Sequence, residues 1–324
     1  MSVIVYQTRI ILNKICEALH CPKRRMFGVI VAAASLTLAG CASPPVVTAP
    51  VVTAPVLAPP VVVKKPPRLG LALGGGAARG FAHVGVIQVL EEAGIRPDLV
   101  VGTSAGSLVA AFYASGKSGA QLQKVAETME EAAFTDWTLP LFSRGMLRGE
   151  ALARYVTAQV GSRAIEDMPM PLGIVATDLN SGAGVLFRRG DTGMAVRASS
   201  AVPSVFQPVR ISGRDYVDGG LVSPVPVRFA REMGAELVVA VDISSPPDGN
   251  LPDGSLQILL QTFAIMGKSI NSFELRDADV VLRPVLGGVK SADFGARLKS
   301  IAAGRLAMQQ ALPELRRLLA AQSL

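Results

Sequence analysis

Between residues 68 and 324 the apolar positions fall in blocks whose period changes along the chain. Arg68 to Leu73 is short and almost wholly apolar, the pattern of a strand buried on both faces. It runs into Gly74-Gly75-Gly76-Ala77-Ala78-Arg79-Gly80. From Phe81 to Glu92 the spacing becomes helical: Val86, Val89, Leu90 and Ala93 share a face at i, i+3, i+4 and i+7, and Gly94 ends the run. Leu99 to Gly102 predicts a second strand, and Ser107 to Ala114 a helix stopped by Gly116. Leu172 to Asp178 predicts another strand, with Gly184 to Arg188 placed to pair with it through a turn at Asn180-Ser181-Gly182. Leu237–Asp242 and Val280–Leu282 are further strands. Helices are predicted over 192–199, 225–233 and 256–274, and over 296–321 with a break or restart near Pro313. Strand, glycine loop, helix, strand, tight turn, helix is the rhythm of an α/β protein built on a parallel sheet. No composition break follows residue 68, so residues 68–324 read as one domain.

The first 67 residues have a different character. Lys23-Arg24-Arg25 precede an apolar run from Phe27 to Leu38, too short to span a bilayer, and then Leu38-Ala39-Gly40-Cys41. Residues 1–40 read as a secretory signal. The Leu-Ala-Gly-Cys tetrapeptide resembles the lipobox of bacterial lipoproteins, which implies cleavage before Cys41 and acylation of its sulfur. Two or more acyl chains give stable membrane attachment. Residues 41–67 carry the lipidated cysteine and a Pro/Val-rich linker in which Val-Val-Thr-Ala-Pro occurs twice, at 46–50 and 51–55. Repeated proline favours an extended path of about 3.1 Å per residue, so this tether reaches on the order of 70 Å. Ala42, rather than Asp, follows Cys41. By enteric-type sorting this places the anchor in the outer membrane, with the body facing the periplasm.

Composition narrows the chemistry. Half of the residues are hydrophobic and 18% are charged, which suits a folded domain rather than a disordered chain. The formal net charge is +7, but Arg9, Lys14, Lys23, Arg24 and Arg25 against Glu17 put most of it in the leader. No basic stripe with interleaved aromatics appears, so nucleic acid is not an expected partner. The three cysteines, Cys16, Cys21 and Cys41, all precede the domain, which therefore has neither an internal disulfide nor a thiolate metal site. The only histidines are His20 and His83.

Gly102-Thr103-Ser104-Ala105-Gly106 fits G-x-S-x-G between a strand and a helix. There a serine sits on a sharp turn with its hydroxyl exposed, and small residues let strand and helix approach. The same serine also suits an ordinary helix N-cap. The Gly74–Gly80 loop fits neither a Walker A loop, which needs Gly-Lys-Ser/Thr, nor G-x-G-x-x-G, because Arg79 stands at the last glycine. It reads as an oxyanion-binding run of backbone amides or as a plain strand–helix connection. A nucleophilic serine needs a base. No histidine follows residue 83, which removes the usual Ser-Asp-His order, and His83 reads as a helix histidine held by packing or by a backbone bond. A carboxylate or a lysine remains. Among Asp178, Asp218 and Asp242, Asp218 stands out in Tyr216-Val217-Asp218-Gly219-Gly220, where burial would raise its basicity and the glycines expose it. Asp178 reads better as a turn acid before Asn180-Ser181-Gly182. Phe134, Trp137, Leu139, Leu141, Phe142 and Met146 read either as a lipid-facing lip or as a loop packed into the core.

Taken together and in this order, Gly-Gly-Gly-x-x-Arg-Gly, Gly-x-Ser-x-Gly and Asp-Gly-Gly resemble the patatin-like phospholipase family. Ala82–Glu92, Ala176–Gly182, Arg197–Pro203, Gly234–Asp242 and Asp279–Pro284 fit it too, so the resemblance covers nearly all of 68–324. It implies a three-layer α/β/α fold with a mostly parallel central sheet. It implies a dyad of Ser104 as nucleophile and Asp218 as base. It implies an oxyanion hole from the Gly75, Gly76 and Ala77 amides organised by Arg79, with phospholipid or lysophospholipid as substrate and no metal or cofactor. Relatives often carry Asn where Ser223 stands, and Ser can keep a turn hydrogen bond there. Two other readings stay open: a catalytically silent lipoprotein that uses the fold for binding or assembly, and an acyltransferase.

Overall fold

The computed structural model describes residues 66–130, 136, 145–244, 254–290 and 292–323. The signal segment, Cys41 and the linker up to Lys65 lie outside these residues, as do Phe134, Trp137, Leu139, Leu141 and Phe142. The domain belongs to a compact unit, Pro60–Leu324.

Among the described residues the strands are, in chain order, β1 (Leu69–Leu73), β2 (Leu99–Thr103), β3 (Gly145–Leu147), β4 (Leu172–Asp178), β5 (Gly184–Phe187), β6 (Ser204–Phe206), β7 (Val209–Ile211), β8 (Arg214–Asp218), β9 (Leu237–Val241) and β10 (Val280–Leu282). The helices are α1 (Phe81–Glu92), α2 (Ala105–Ala114), α3 (Gly119–Thr128), α4 (Glu150–Gln159), α5 (Thr192–Ser199), α6 (Val227–Glu232), α7 (Ser255–Glu274) and α8 (Arg297–Ser323). The main sheet runs β10-β9-β1-β2-β4-β8-β7, with β5 on the other edge of β4, while β3 and β6 pair separately. Pairs from β10 to β4 are parallel; β5, β8 and β7 pair antiparallel. The continuous apolar runs of β1 and β9 follow from burial on both faces. Leu69, Leu71 and Leu73 pack with α1, α2 and α8 on one side, whereas Ala72, Val238 and Ala240 pack with α6 on the other. This is the expected three-layer arrangement.

Helices α1 and α8 cross with their backbones nearly touching. A Cβ on Gly85 would meet the Ile301 carbonyl, and one on Gly304 would meet the Ala82 carbonyl.

The expected break near Pro313 does not occur, and α8 runs through it. Pro in a helix interior costs about 3 kcal/mol. Ile301, Met308 and Leu315 are spaced by seven on both sides of it, and all are buried in the core. Each such side chain contributes roughly 1.5–3 kcal/mol by burial, enough to hold both halves on one line. Helix α2 begins at Ala105, two residues earlier than its apolar pattern suggested. Helices α3 and α4 and the β7–β8 hairpin were not anticipated. The start of α3 carried a readable signal: Ser118 and Gln121 form a capping box.

Adding a methyl at the crossing tests this packing. Gly304→Ala should destabilise the domain by about 2 kcal/mol and lower Tm by roughly 4–8 °C. Gly287→Ala, where an added Cβ meets nothing within 4 Å, should leave the melting curve unchanged.

Candidate active site

The site forms where two strands run toward each other along one edge of β4. β2 is parallel to β4 and ends with Thr103 opposite Val175. β8 is antiparallel and ends with Asp218 opposite Ala176. Because β5 occupies the other edge over Ile174–Thr177, β2 and β8 share the same edge and their ends converge. Ser104 follows one end directly, and Asp218 is the other.

Ser104 occupies a sharp turn with φ 52° and ψ −123°, a conformation that costs a non-glycine residue about 1–3 kcal/mol. The turn is held from several sides. The Ser104 amide donates to Ser199 Oγ at 2.8 Å, and Ser199 Oγ donates to the Val175 carbonyl at 2.6 Å. The Ser104 carbonyl accepts from the Ser107 hydroxyl and amide at 2.6 and 2.8 Å. Gly102 and Gly106 are needed for contact: a Cβ on the first would strike the Gly106 backbone, and one on the second the Leu73 carbonyl. Thr103 is buried and donates its hydroxyl to the Ser223 carbonyl at 2.9 Å, while Ala105 opens α2.

The Asp218 carboxyl is buried, and its burial pushes its pKa up to about 6; the Ser104 hydroxyl and the Gly220 amide pull the other way. Oδ1 accepts from the Gly220 amide at 2.7 Å. Oδ2 is shielded from solvent and has no hydrogen-bond partner among the described residues. The Ser104 hydroxyl is thus near enough to favour the carboxylate without meeting hydrogen-bond geometry, a looseness common before substrate binds. The Asp218 backbone is fixed by its amide to the Ala201 carbonyl at 3.0 Å and by Thr177 Oγ1 to its own carbonyl at 2.8 Å. Gly219 leaves no room for a side chain against the Val175 carbonyl.

The glycine loop lies over Ser104, and a Cβ on Gly75 would sit 3.1 Å from Ser104 Cβ. Its amides divide into two groups. The Gly75 amide donates to the Pro224 carbonyl at 2.9 Å, so it anchors the loop and is not free for an oxyanion, contrary to expectation. The Gly76 and Ala77 amides have no acceptor among the described residues. The Gly76 carbonyl is held by the Arg79 amide at 3.2 Å and by Arg79 Nε at 3.3 Å. Since the peptide is planar and trans, this turns the Ala77 N–H the opposite way. Arg79 is buried, which lowers its pKa, while the Asp242 charge opposes that shift. His83, fully buried, donates Nε2–H to the Gly74 carbonyl at 2.8 Å, and burial pushes its pKa down to about 4. It is a neutral strut beneath the loop.

The other two acids serve turns. Asp178 accepts from the Asn180 and Ser181 amides and pairs with Arg214 at 2.9 Å, contacts that lower its pKa. Asp242 accepts from the Ser244 amide and hydroxyl. Ser223 keeps its turn bond through its amide, which donates to the Gly219 carbonyl; its hydroxyl instead donates to Glu274 Oε1 at 2.6 Å. Sequence reasoning missed Ser199 and Ala201 as supports of the pair. Their signal was present in Arg197–Pro203 but has no recognisable chemistry without the fold.

Beside Ser104 opens a cavity of about 320 Å³, within the range of small-molecule sites. Ala77, Ala78 and Ala105 join Ser104 in its wall, and Leu108, Phe112, Met129, Leu152 and Phe206 line it with apolar surface. A hydroxyl, a buried carboxylate with a free oxygen, unpaired amides and an apolar cavity are the parts that acyl-ester hydrolysis by a serine requires.

Comparison with known proteins agrees. The family model of patatin-like phospholipase matches residues 71–231, which take in the glycine loop, Ser104 and Asp218. An uncharacterized NTE family protein of Mycobacterium tuberculosis is 36% identical over 207 residues, 64% of this chain and 57% of its own length. The human patatin-like phospholipase domain-containing protein 6 is 35% identical over 191 residues, 56% of this chain and 14% of its own. The chain therefore spans less than two thirds of these relatives. VipD from Legionella pneumophila shares the fold, with a TM-score of 0.53 at 16% identity over 78% of this chain and 68% of its own. The chain belongs to the patatin-like phospholipase family.

The buried carboxyl makes a stability prediction. Its folded pKa of about 6 lies above the unfolded value of about 3.9. The folded state holds the proton more tightly, so stability declines as pH rises from about 4 to 6 and is then level. Asp218→Asn removes this cost and should stabilise the domain at pH 8 by up to about 3 kcal/mol. The gain should vanish below about pH 4. Thermal melts of both proteins across pH check it, and an equal or lower Tm at pH 8 would count against the burial argument.

Proposed function

We propose that this protein is a serine acyl-ester hydrolase of membrane lipids, of the phospholipase A or lysophospholipase type. The observation that carries the reading is the meeting of Ser104 with the buried, half-unpaired carboxylate of Asp218 at the wall of an apolar cavity. The fatty acyl chain enters the cavity, which brings its ester carbonyl to Ser104. Asp218 Oδ2 accepts the hydroxyl proton as Oγ attacks. The tetrahedral oxyanion is met by the Gly76 and Ala77 amides, with the Ala105 amide at the start of α2 as a further donor. Asp218 returns the proton to the leaving alcohol. Water, deprotonated by the same carboxylate, then releases the fatty acid. A base of pKa about 6 is suited to this work at neutral pH, where it is ionised but more basic than a free aspartate.

A silent scaffold has no use for the strained Ser104 backbone or for a buried carboxylate with an unpaired oxygen, and the hydrolase reading accounts for both. Transfer of the acyl group to an alcohol instead of water uses the same steps, and product analysis separates the two. The lipobox at Leu38–Cys41 supports attachment through acylated Cys41, and the linker supports a body tethered on the periplasmic side of the outer membrane. Radiolabelled palmitate should enter the parent protein and not Cys41→Ser.

Acyl release from mixed phospholipid and lysophospholipid micelles tests the reaction. Ser104→Ala and Asp218→Asn should each lose at least about a thousandfold in kcat. For the parent, kcat/KM should rise tenfold per pH unit below about 6 and level off above it, because the base must be ionised. Unchanged release in either variant would remove that residue from the mechanism.

A further inference from the structure

Helix α7 turns its faces the wrong way round for a surface helix. It buries Gly267, Asn271 and Glu274, at i, i+4 and i+7. It exposes Ile258, Ile265, Met266 and Phe273, which recur at seven and eight residues on the opposite face; Ile265 and Phe273 are 54% and 64% exposed. A helix that packs only against its own domain does the reverse.

The inward polar face is fastened to the segment that follows Asp218. Glu274 Oε1 accepts from Ser223 Oγ, and the Ser223 amide donates to the Gly219 carbonyl at 2.9 Å. Gly267 packs on Pro224, whose carbonyl receives the Gly75 amide of the glycine loop. One helix thus presents apolar surface outward and supports both the Asp-Gly-Gly turn and the oxyanion loop inward.

Charge identifies what covers the outer face. From Ser255 to Asp277 the charged residues are Lys268, Glu274, Arg276 and Asp277, and Arg228 reaches Glu274 from α6 at 3.8 Å. Glu274 is buried, so three exposed or half-exposed cations, Lys268, Arg276 and Arg228, stand here against one exposed acid, Asp277. The Arg276 guanidinium lies 4.9 Å over the Phe273 ring. Apolar side chains flanked by an excess of cations match an anionic lipid surface, where acyl chains take the first and phosphates the second. Two copies pairing through this face would bring three cations of each together with only Asp277 of each to answer them. No helix among the described residues is long and apolar enough to cross a membrane, which leaves contact in the plane of the surface. We propose that α7 is the face by which this protein lies on an anionic lipid surface, its buried side tying that contact to the catalytic turn. The choice of a lipid occupant rests on the hydrolase reading; the inverted face does not.

The test reads contact at one position, so that attachment elsewhere in the chain does not enter. The full chain carries Ser104→Ala to remove hydrolysis, Trp137→Phe to remove its single tryptophan, and Phe273→Trp as the reporter. With phosphatidylglycerol–phosphatidylethanolamine vesicles the emission should shift to the blue. Acyl-chain-brominated lipid should quench it by about half or more, as expected for a side chain buried roughly 5–10 Å into the interface. Leu306→Trp in place of Phe273→Trp reports from α8, in the opposite layer, and should not respond. Unchanged emission at position 273, an equal response at 306, or a blue shift that grows with protein concentration without vesicles would overturn the proposal; the last would assign the face to a second copy. Because the reporter variant carries Ser104→Ala and does not depend on hydrolysis, failure of the hydrolase reading leaves the result intact.

A second measurement keeps catalysis. Ile265→Ser with Met266→Ser should lower hydrolysis of vesicle lipid by about tenfold and leave turnover of a water-soluble short-chain ester unchanged. Equal losses on both substrates would mean that these side chains only support the fold.

Discussion

The geometry of the candidate site depends on a single strand edge. The edge of β4 is long enough to serve two partners, β2 over Leu172–Val175 and β8 over Ala176–Asp178, which approach from opposite directions. Backbone hydrogen bonding to consecutive residues of one strand fixes both chain ends. The side chains that emerge there are set against each other before any contact of their own is made. Supports then cluster around the junction: Ser199 and Ala201 hold the two backbones, and Thr177 and Thr103 tie Asp218 and Ser223 to the strands. A site placed on rigid strands in this way keeps its geometry better than one carried by loops alone.

That rigidity lets the fold keep features that are individually unfavourable. Ser104 and Ala77 both have positive φ without being glycine, and Asp218 and Arg79 are buried ionisable groups. Each would relax if its surroundings allowed. Ser104 cannot, because Gly102 and Gly106 are packed against backbone. Ala77 cannot, because Arg79 and His83 grip the carbonyls of the loop before it. Ser104 and Ala77 both line the cavity, and the α1–α8 crossing and the apolar strands β1 and β9 supply stabilisation that offsets their strain.

Much of the scaffold was legible in the sequence because burial writes a period into it. Continuous apolar runs marked β1, β2, β4 and β9, and a 3.6-residue pattern marked α1. Pro313 misled because a local rule was read without its context: the rule describes an isolated helix, and three core residues spaced by seven outweigh it. The β7–β8 hairpin was illegible for the opposite reason. Its short strands, with Arg210, Arg214 and Asp215 in them, carry little apolar pattern, and its place is set by pairing with β4.

By itself the sequence determined which chemistry was available. With no histidine after residue 83, it removed a Ser-Asp-His order and left a carboxylate or a lysine as base, because side-chain chemistry is a property of residue type; the choice of Ser104 with Asp218 came from the resemblance of the three motifs taken together. The tertiary structure alone decided how these groups stand. It placed residues 114 apart along the chain on adjacent positions of one strand edge. It assigned the Gly75 amide to Pro224 and left those of Gly76 and Ala77 unpaired. It turned the polar stripe of α7 inward. Pairing register, backbone direction and burial arise from contacts between distant segments, and no local stretch of sequence contains them.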